Sequence, residues 1–306
     1  MSWPDGIESD RRFIGTARDY LTRNAGDPGT TIAEGRFDAR LAADKTITAI
    51  TTSTHSDALA RLVGERGGGH LRMVLREIIP DMIERADPLY LLLDDISGTA
   101  LVSAFAKEQW ARTASGADIT QPIARGDIEK RIDVCWGLQR GNTGVQPDLA
   151  MSSIASADAG DIRNPADPLG WHELPSSDGP AFRRARRIDV IRDQAAGLIR
   201  IDSAFQDSAI RRDGGRIALH EYLLKVTADI DTLEIRSIAP EARILPFSEC
   251  PGAIHNAQRL VGGSIDDIRD DVLSQLRGPA GCTHLNDTLR ALADVPRLAG
   301  HLRELA

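Results

Sequence analysis

The sequence is poor in aromatic residues, with six Phe, four Trp and three Tyr among 306 residues. Proteins that bind single-stranded nucleic acids stack bases on exposed aromatic side chains, so this shortage argues against that class. Basic residues are also in deficit, because 37 Lys and Arg face 45 Asp and Glu, a formal net charge of −8. A phosphate-rich partner requires a broad basic surface. The composition therefore predicts no nucleic-acid partner.

Long hydrophobic runs are missing as well. The longest apolar run, PLYLLL at 88–93, is far shorter than the roughly 20 residues that cross a bilayer. The opening stretch MSWPDGIESDRR lacks the basic-then-apolar order of a signal peptide. The three cysteines, Cys135, Cys250 and Cys282, are odd in number and widely spaced, which is typical of reduced thiols. We therefore predict a cytoplasmic protein with no membrane partner, and a homo-oligomer is left open.

Strand and helix patterns occur along the chain in an order that appears twice. Each time, segments rich in alternating or β-branched residues come first, and segments with apolar residues at helical spacing follow. This order predicts an α+β fold of two related units, each an antiparallel sheet followed by packed helices. The strand-like segments are 11–21, 30–44, 46–54, 182–194, 198–207, 216–229 and 232–240, and the helical ones are 56–65, 70–86, 252–262, 264–276 and 283–293.

Short matches between the two halves fall in the same order, for example ARLVGE at 60–65 and QRLVGG at 258–263. We interpret them as a diverged internal duplication, arranged as an intrachain pseudo-dimer with a ligand cleft between its halves. Within the connecting part, RIDVCWGL at 131–138 has a strand-like pattern, and 147–181 has the Pro, Asp, Ser and Gly content of a surface linker. The predicted domains are 1–95 (first unit, diverged repeat), 96–181 (connecting segment and linker) and 182–306 (second unit with the motifs).

The second half carries four ordered motifs: LHEYLLKVTAD (219–229), CPGA (250–253), RLVG (259–262) and GCTHL (281–285). In this order and spacing they resemble the bacterial family labelled domain of unknown function 2889, over about residues 165–295. The first half departs from this pattern, with EGRF in place of LHEY and RADPL in place of GCTH. The family label implies no particular activity, so the function has to be argued from the residues.

Cys282 and His284 stand at the predicted start of a helix. A thiol beside unpaired backbone N–H groups at this end of a helix is expected to have a lowered pKa, and His284 could exchange a proton at neutral pH. Alternatively, Thr283 caps the helix and Cys282 is a small buried side chain. A zinc site of Cys250, Cys282 and His284, with His255 as an optional fourth ligand, is a third interpretation, but paired spacings such as C-x₂-C are missing. We predict neither a metal nor another cofactor.

His220 and Glu221 are neighbours on a predicted strand, where successive side chains point to opposite faces. His220 therefore shares a face with Tyr222, and an imidazole with a phenol two residues away is a usable acid/base pair. The alternative is a partly buried histidine that is hydrogen-bonded to a neighbouring strand. Glu221 faces the other way, together with Leu223 and Lys225.

Two further features carry charge. Asp94 and Asp95 end the apolar run 88–93, where a carboxylate can have a raised pKa and act as a general base. Alternatively, Asp95 or Ser97 caps the next helix. The basic run RRARR at 183–187 could hold an anionic substrate group, or it could pair with the acidic surface of the protein.

These candidates predict a cofactor-independent enzyme that acts on a small organic molecule by general acid/base catalysis. Lyase chemistry on a C–C or C–O bond, such as retro-aldol cleavage, fits best, followed by hydrolysis. In this hypothesis His220 is the base, and Tyr222 or His284 is the acid. Glu221 or Asp95 orients them. The alternative is a non-catalytic small-molecule binding or assembly module in which the Cys and His motifs are structural. The predicted site residues are His220, Tyr222, His284, Glu221, Asp95 and Cys282.

Overall fold

A computed structural model of the chain describes residues 1–24, 26–115, 128–150, 153–174 and 177–303. It shows an α+β protein with antiparallel sheets and several helices, which confirms the predicted fold class. The arrangement of two halves as a pseudo-dimer stays a prediction, and so do the predicted domain boundaries at residues 95 and 181. Packing divides the chain into two compact units. The first unit consists of Met1–Ala114, Arg163–Arg184 and Ala209–Arg216, and the second of Ser115–Ile162, Ala185–Ser208 and Ile217–Ala306.

The first unit begins with a three-stranded antiparallel sheet in the order β1-β2-β3. The strands are β1 (Arg11–Leu21), β2 (Thr30–Leu41) and β3 (Ile47–Thr52), and the helices are α1 (Ser56–Leu59), α2 (Leu71–Ile78), α3 (Pro80–Glu84), α4 (Pro88–Val102) and α5 (Ala104–Ser115). Strands β2 and β3 are joined by a tight turn in which Lys45 has a φ of 75°. Gly35 lets β2 approach helix α4 closely, because a Cβ at this position would lie 2.5 Å from the backbone nitrogen of Leu89.

Helix α4 contains the apolar run at 88–93 and forms much of the core of the first unit. Asp87 caps its start by accepting a hydrogen bond from the backbone N–H of Leu89. Asp95 and Ser97 lie inside the helix, so the prediction that either of them caps a helix is wrong. Among the described residues, no single helix is long and apolar enough to cross a membrane. One bent pair, Pro88–Val102 with Ala104–Ala111, meets the requirement by length and composition only.

A five-stranded sheet follows, with β6 between β5 and β7 and with both β4 and β8 paired to β7. Its strands are β4 (Ala157–Asp158), β5 (Phe182–Asp193), β6 (Leu198–Ile210), β7 (Arg216–Asp229) and β8 (Ile235–Ile244). The later helical segments are a 3-10 helix (Cys250–Leu260), α6 (Ile268–Gln275), α7 (Thr283–Arg290) and α8 (Val295–Arg303). The core of the second unit joins apolar side chains of these strands to those of the helices, including the fully buried Tyr222 and Phe205.

The connecting part differs from its prediction in two places. The strand expected at 131–138 is wrong, since Trp136–Leu138 forms a 3-10 turn. This turn packs tightly on the start of the 3-10 helix, because a Cβ on Gly137 would lie 2.4 Å from the Cys250 sulfur. The stretch 147–181 is also more than a linker, since it contributes β4 to the sheet. Residues 116–127 of the connecting segment lie outside the described residues.

Candidate functional site

Two histidines and an aspartate meet where the sheet of the second unit contacts the start of helix α7. Asp207 lies on β6, His220 on the neighbouring β7, and His284 in the first turn of α7. His220 Nδ1 lies 3.5 Å from Asp207 Oδ2, and His284 Nε2 lies 3.7 Å from the same oxygen. The two imidazole rings stack, with centroids 3.4 Å apart and an interplanar angle of 18°. We call these three residues the Asp-His-His cluster.

Burial strengthens the electrostatic interaction between the Asp207 carboxylate and the two imidazoles of the Asp-His-His cluster. The Asp207 side chain is fully buried, whereas the His220 and His284 side chains keep 6% and 9% of their surface exposed. A buried carboxylate favours a positive charge on an imidazole beside it, while two stacked imidazolium ions would repel each other. The Asp207 carboxylate therefore faces both rings, and each histidine side chain retains a small exposed fraction.

The orientation of His284 is set by contacts within its own helix and by two residues of β6. Its Nδ1 lies 3.3 Å from the Thr283 hydroxyl, while Nε2 is directed to Asp207. One turn later, the hydroxyl of Thr288 donates a hydrogen bond of 2.9 Å to the His284 carbonyl oxygen. The Phe205 ring packs at 6.3 Å from the imidazole. These contacts hold the ring in the place where it stacks on His220.

Tyr222 and Cys282 form a separate buried pair on the same side of β7. The Tyr222 hydroxyl donates a hydrogen bond to the Cys282 sulfur at 3.3 Å. Burial raises the pKa of Tyr222 well above its ordinary value, and the neighbouring Cys282 raises it further. Strand alternation thus predicted correctly that His220 and Tyr222 share a face, but the phenol is hydrogen-bonded to a thiol.

The helix start at Thr283 is confirmed, with Cys282 as the residue that precedes it. The expected lowering of the Cys282 pKa is wrong. Burial raises the pKa of this thiol, although the backbone N–H groups of Leu285 and His284 act in the opposite direction. Desolvation of the thiolate therefore outweighs the helix terminus, and Cys282 is a protonated, buried side chain rather than an activated nucleophile.

Glu221 lies away from the imidazoles, as strand alternation predicts. Its Oε2 accepts a hydrogen bond of 2.8 Å from Gln206, whose amide also donates to the Gly160 carbonyl oxygen. Arg243 Nε lies 4.0 Å from Glu221 Oε1. The carboxylate that lies against the two histidines is therefore that of Asp207, not that of Glu221.

Asp95 is placed in the first unit, on helix α4. Its Oδ1 lies 3.3 Å from Arg184 Nη1, and both side chains are largely buried. The adjacent Asp94 forms an ion pair with Arg72 at 2.5 Å. Asp95 is therefore part of an ion pair within that unit, and the structure does not bring it into the Asp-His-His cluster of the second unit.

The same three side chains are the ones that could hold a metal ion. Within the described part of the chain, the Asp-His-His cluster is the one group of three or more His, Cys, Asp or Glu whose ligand atoms lie close together, all within 4.8 Å of one another. Histidine nitrogens and a carboxylate oxygen suit zinc or ferrous iron. The zinc set considered from the sequence, with Cys250 and Cys282 beside His284, is not assembled as such a group.

Asp207 was missed by the sequence analysis. The predicted strand ended at this residue, whereas β6 continues to Ile210 and places Asp207 in its buried part. The available signal was the run of polar residues Gln206-Asp207-Ser208 at the end of a predicted strand, and the structure shows that all three are fully buried. Buried polar side chains on a strand require partners, and that requirement points to a polar site.

Residues 182–297 match the family described as protein of unknown function (DUF2889). The match confirms the resemblance drawn from the motifs for this part of the chain. All three residues of the Asp-His-His cluster lie inside the matched segment. No curated protein and no solved structure matches the chain. The family description assigns no activity, so the function is argued from the cluster itself.

Proposed function

We propose that this protein is an enzyme that acts on a small organic molecule by general acid/base catalysis at the Asp-His-His cluster. The observation that carries the proposal is the pair of stacked imidazoles, His220 and His284, directed at one buried oxygen of Asp207. Two rings that share one proton supply a base and an acid at the same place, and proton transfer by such groups accelerates reactions by about 10²–10⁴-fold.

A retro-aldol cleavage, which is a lyase reaction, requires both a base and an acid, and the two imidazoles would supply them. Neutral His220 removes the proton of a substrate hydroxyl, the bond between the carbinol carbon and its neighbour breaks, and a new carbonyl forms. The bonding electron pair moves onto the adjacent carbonyl group as an enolate, which protonated His284 then protonates. Asp207 stabilises whichever imidazole is charged. Hydrolysis is the second reaction class, with a water molecule in place of the substrate hydroxyl.

A substrate would meet the two histidines from the side on which their side chains keep a small exposed fraction, since Asp207 is fully buried. A cytoplasmic location and an internal duplication arranged as a pseudo-dimer belong to the same proposal.

The test is a screen of the purified protein against β-hydroxy carbonyl compounds, with released aldehyde as the readout, followed by a panel of esters. His220→Gln and His284→Gln are each expected to reduce turnover at least about 100-fold. His255→Gln is the matched control, because His255 is an exposed histidine of the same unit. Folded His220 and His284 variants that keep full turnover would contradict the assignment.

A second candidate is a metal-dependent activity, favoured by the three ligand atoms within 4.8 Å of one another. Elemental analysis of the purified protein, and titration with Co²⁺ followed by its visible spectrum, test for a bound ion. Stoichiometric metal that is lost in Asp207→Ala would support this candidate. Metal-free protein with full turnover would support acid/base catalysis without a metal.

A non-catalytic binding or assembly module predicts a different experimental result. In that case the His220→Gln and His284→Gln variants lose stability, and neither they nor the parent protein turns over any compound in the screen. Measurement of unfolding in urea beside the activity screen separates this outcome from the two catalytic ones.

A further inference from the structure

Thr283 contacts the Asp-His-His cluster and also lines a cavity of the second unit. Its hydroxyl oxygen lies 3.3 Å from His284 Nδ1, and the other nitrogen of the same ring, Nε2, lies 3.7 Å from Asp207 Oδ2. Catalytic hydrogen bonds of this length commonly tighten when a substrate binds. The order of hydroxyl, imidazole and carboxylate is the one used in nucleophilic catalysis, where a base activates the hydroxyl and a third group orients the base.

The cavity that Thr283 lines has a volume of about 160 Å³. Part of its wall is apolar, since Val272 of α6 and the adjoining Leu276 are each at most 1% exposed. Val134, which is 45% exposed, also belongs to the lining. A cavity of roughly 150 Å³ admits a benzene molecule, so this one is matched to an acyl chain of about four carbon atoms.

Asn286, one turn after Thr283 on α7, adds a polar group to the lining. Its Nδ2 donates a hydrogen bond of 2.8 Å to the Leu276 carbonyl oxygen. Its Oδ1 is buried and has no hydrogen-bond partner among the described residues. Gly281 leaves room for this amide, because a Cβ there would lie 2.9 Å from Asn286 Nδ2. A buried acceptor requires a donor, and a water molecule at this position would supply one.

We infer that Thr283 is the nucleophile of an ester hydrolase, and that the cavity holds the acyl chain of a short carboxylic ester. This inference rests on hydrolysis, the second reaction class of the proposed function. In the first step, Thr283 Oγ1 forms a bond to the acyl carbon, and its proton passes to His284 Nδ1. The bond between the acyl carbon and the alcohol oxygen then breaks, and the alcohol leaves with that proton.

The second step releases the acid. A water molecule held by Asn286 adds to the acyl carbon and gives a proton to His284 Nδ1. The bond between the acyl carbon and Thr283 Oγ1 then breaks, and the threonine oxygen takes the proton back. Asp207 stabilises the imidazolium that forms in each step.

The test uses the full chain with two probes. Turnover of p-nitrophenyl butyrate is followed by released p-nitrophenolate. Ethyl p-nitrophenyl butylphosphonate forms a bond with a hydroxyl nucleophile that water does not break, and tandem mass spectrometry then locates the adduct. We expect the adduct on Thr283. Thr283→Val should abolish it and reduce ester turnover at least about 100-fold, whereas Thr283→Ser keeps a hydroxyl and should retain both.

Two comparisons test the cavity, and one variant is the control. p-Nitrophenyl decanoate should turn over at least about tenfold more slowly than the butyrate, because its chain exceeds the cavity. Val134→Phe should slow turnover of the butyrate by about tenfold, because the ring fills space that the acyl chain needs. Thr227→Val is the matched control, since Thr227 pairs with the Ser237 hydroxyl and lies outside the lining, and it should leave turnover unchanged.

Several results would overturn the inference. They are no phosphonate adduct on the folded parent protein, an adduct on another residue such as Cys282, or full ester turnover in folded Thr283→Val. Ester turnover that is lost in His284→Gln but kept in Thr283→Val would remove the nucleophile and leave the proposed acid/base function intact. Aldehyde release without any ester turnover would do the same. Circular dichroism establishes that each variant is folded, and if Thr283→Val does not fold, the site of the adduct on the parent protein decides.

Discussion

His220 and His284 stack face to face, with ring centroids 3.4 Å apart, although one lies on a strand and the other on a helix. Two stacked imidazolium ions would repel each other, and a carboxylate beside both rings offsets such repulsion. The stack therefore depends on a residue that faces both rings from the neighbouring strand.

Asp207→Ala should destabilise the protein by about 1–3 kcal/mol, because it removes the buried carboxylate that faces both imidazoles. Asp202→Ala is the matched control on the same strand, since Asp202 pairs with Arg187 but its side chain is 41% exposed. A change of at most about 1 kcal/mol is expected there. Urea unfolding of both variants measures the difference. Equal stability of the two variants would show that Asp207 does not support the stack.

Tyr222→Phe tests the role of the phenol. Because its hydroxyl donates to the Cys282 sulfur, we expect a loss of about 1 kcal/mol of stability and turnover within about threefold of the parent. The aldehyde-release or ester assay that detects parent activity provides the comparison, with His220→Gln as the inactive reference. A folded Tyr222→Phe variant that is as inactive as His220→Gln would make the phenol the catalytic acid.

The cysteines should be unreactive in the folded protein at neutral pH. Burial raises the pKa of Cys135 to about 11 and that of Cys250 to about 12, and it raises the pKa of Cys282 as well. The thiolate is the reacting form, so all three should alkylate far more slowly with iodoacetamide at pH 7.5 than in urea. Mass spectrometry of timed samples measures this. Rapid modification of Cys282 alone would restore the hypothesis of an activated thiol.

Because burial raises the pKa of Cys250, the stability of the folded protein depends on pH above the range in which an exposed thiol titrates. Burial raises the pKa of the Cys250 thiol to about 12 in the folded protein, from the ordinary thiol value of 9.0. The unfolded state therefore releases its proton first, and the free energy of unfolding falls as the pH rises from 9 toward 12. In Cys250→Ala this fall should be shallower by up to about 1.4 kcal/mol per pH unit. Urea unfolding at pH 8, 9 and 10 measures both slopes, and parallel slopes would contradict the buried-thiol account.

Part of this site could be predicted from the sequence because it depends on local periodicity. Alternation along β7 placed His220 and Tyr222 on one face, and the start of α7 was predicted at Thr283. Asp207 could not be found in the same way, since its role depends on which strand lies beside β7. The pKa of Cys282 was predicted in the wrong direction because the helix terminus is visible in the sequence, whereas the burial that outweighs it is a property of tertiary packing.

The tight packing of the 3-10 turn at Trp136–Leu138 gives a last prediction. A Cβ on Gly137 would lie 2.4 Å from the Cys250 sulfur, so Gly137→Ala should cost about 1–3 kcal/mol. Gly68→Ala is the control, because nothing lies within 4 Å of a Cβ there and its change should be near zero. If the sulfur is the cause, adding Cys250→Ala to Gly137→Ala should cost less than the sum of the two single changes. Additive costs in urea unfolding would mean that the turn tolerates the extra methyl by moving elsewhere.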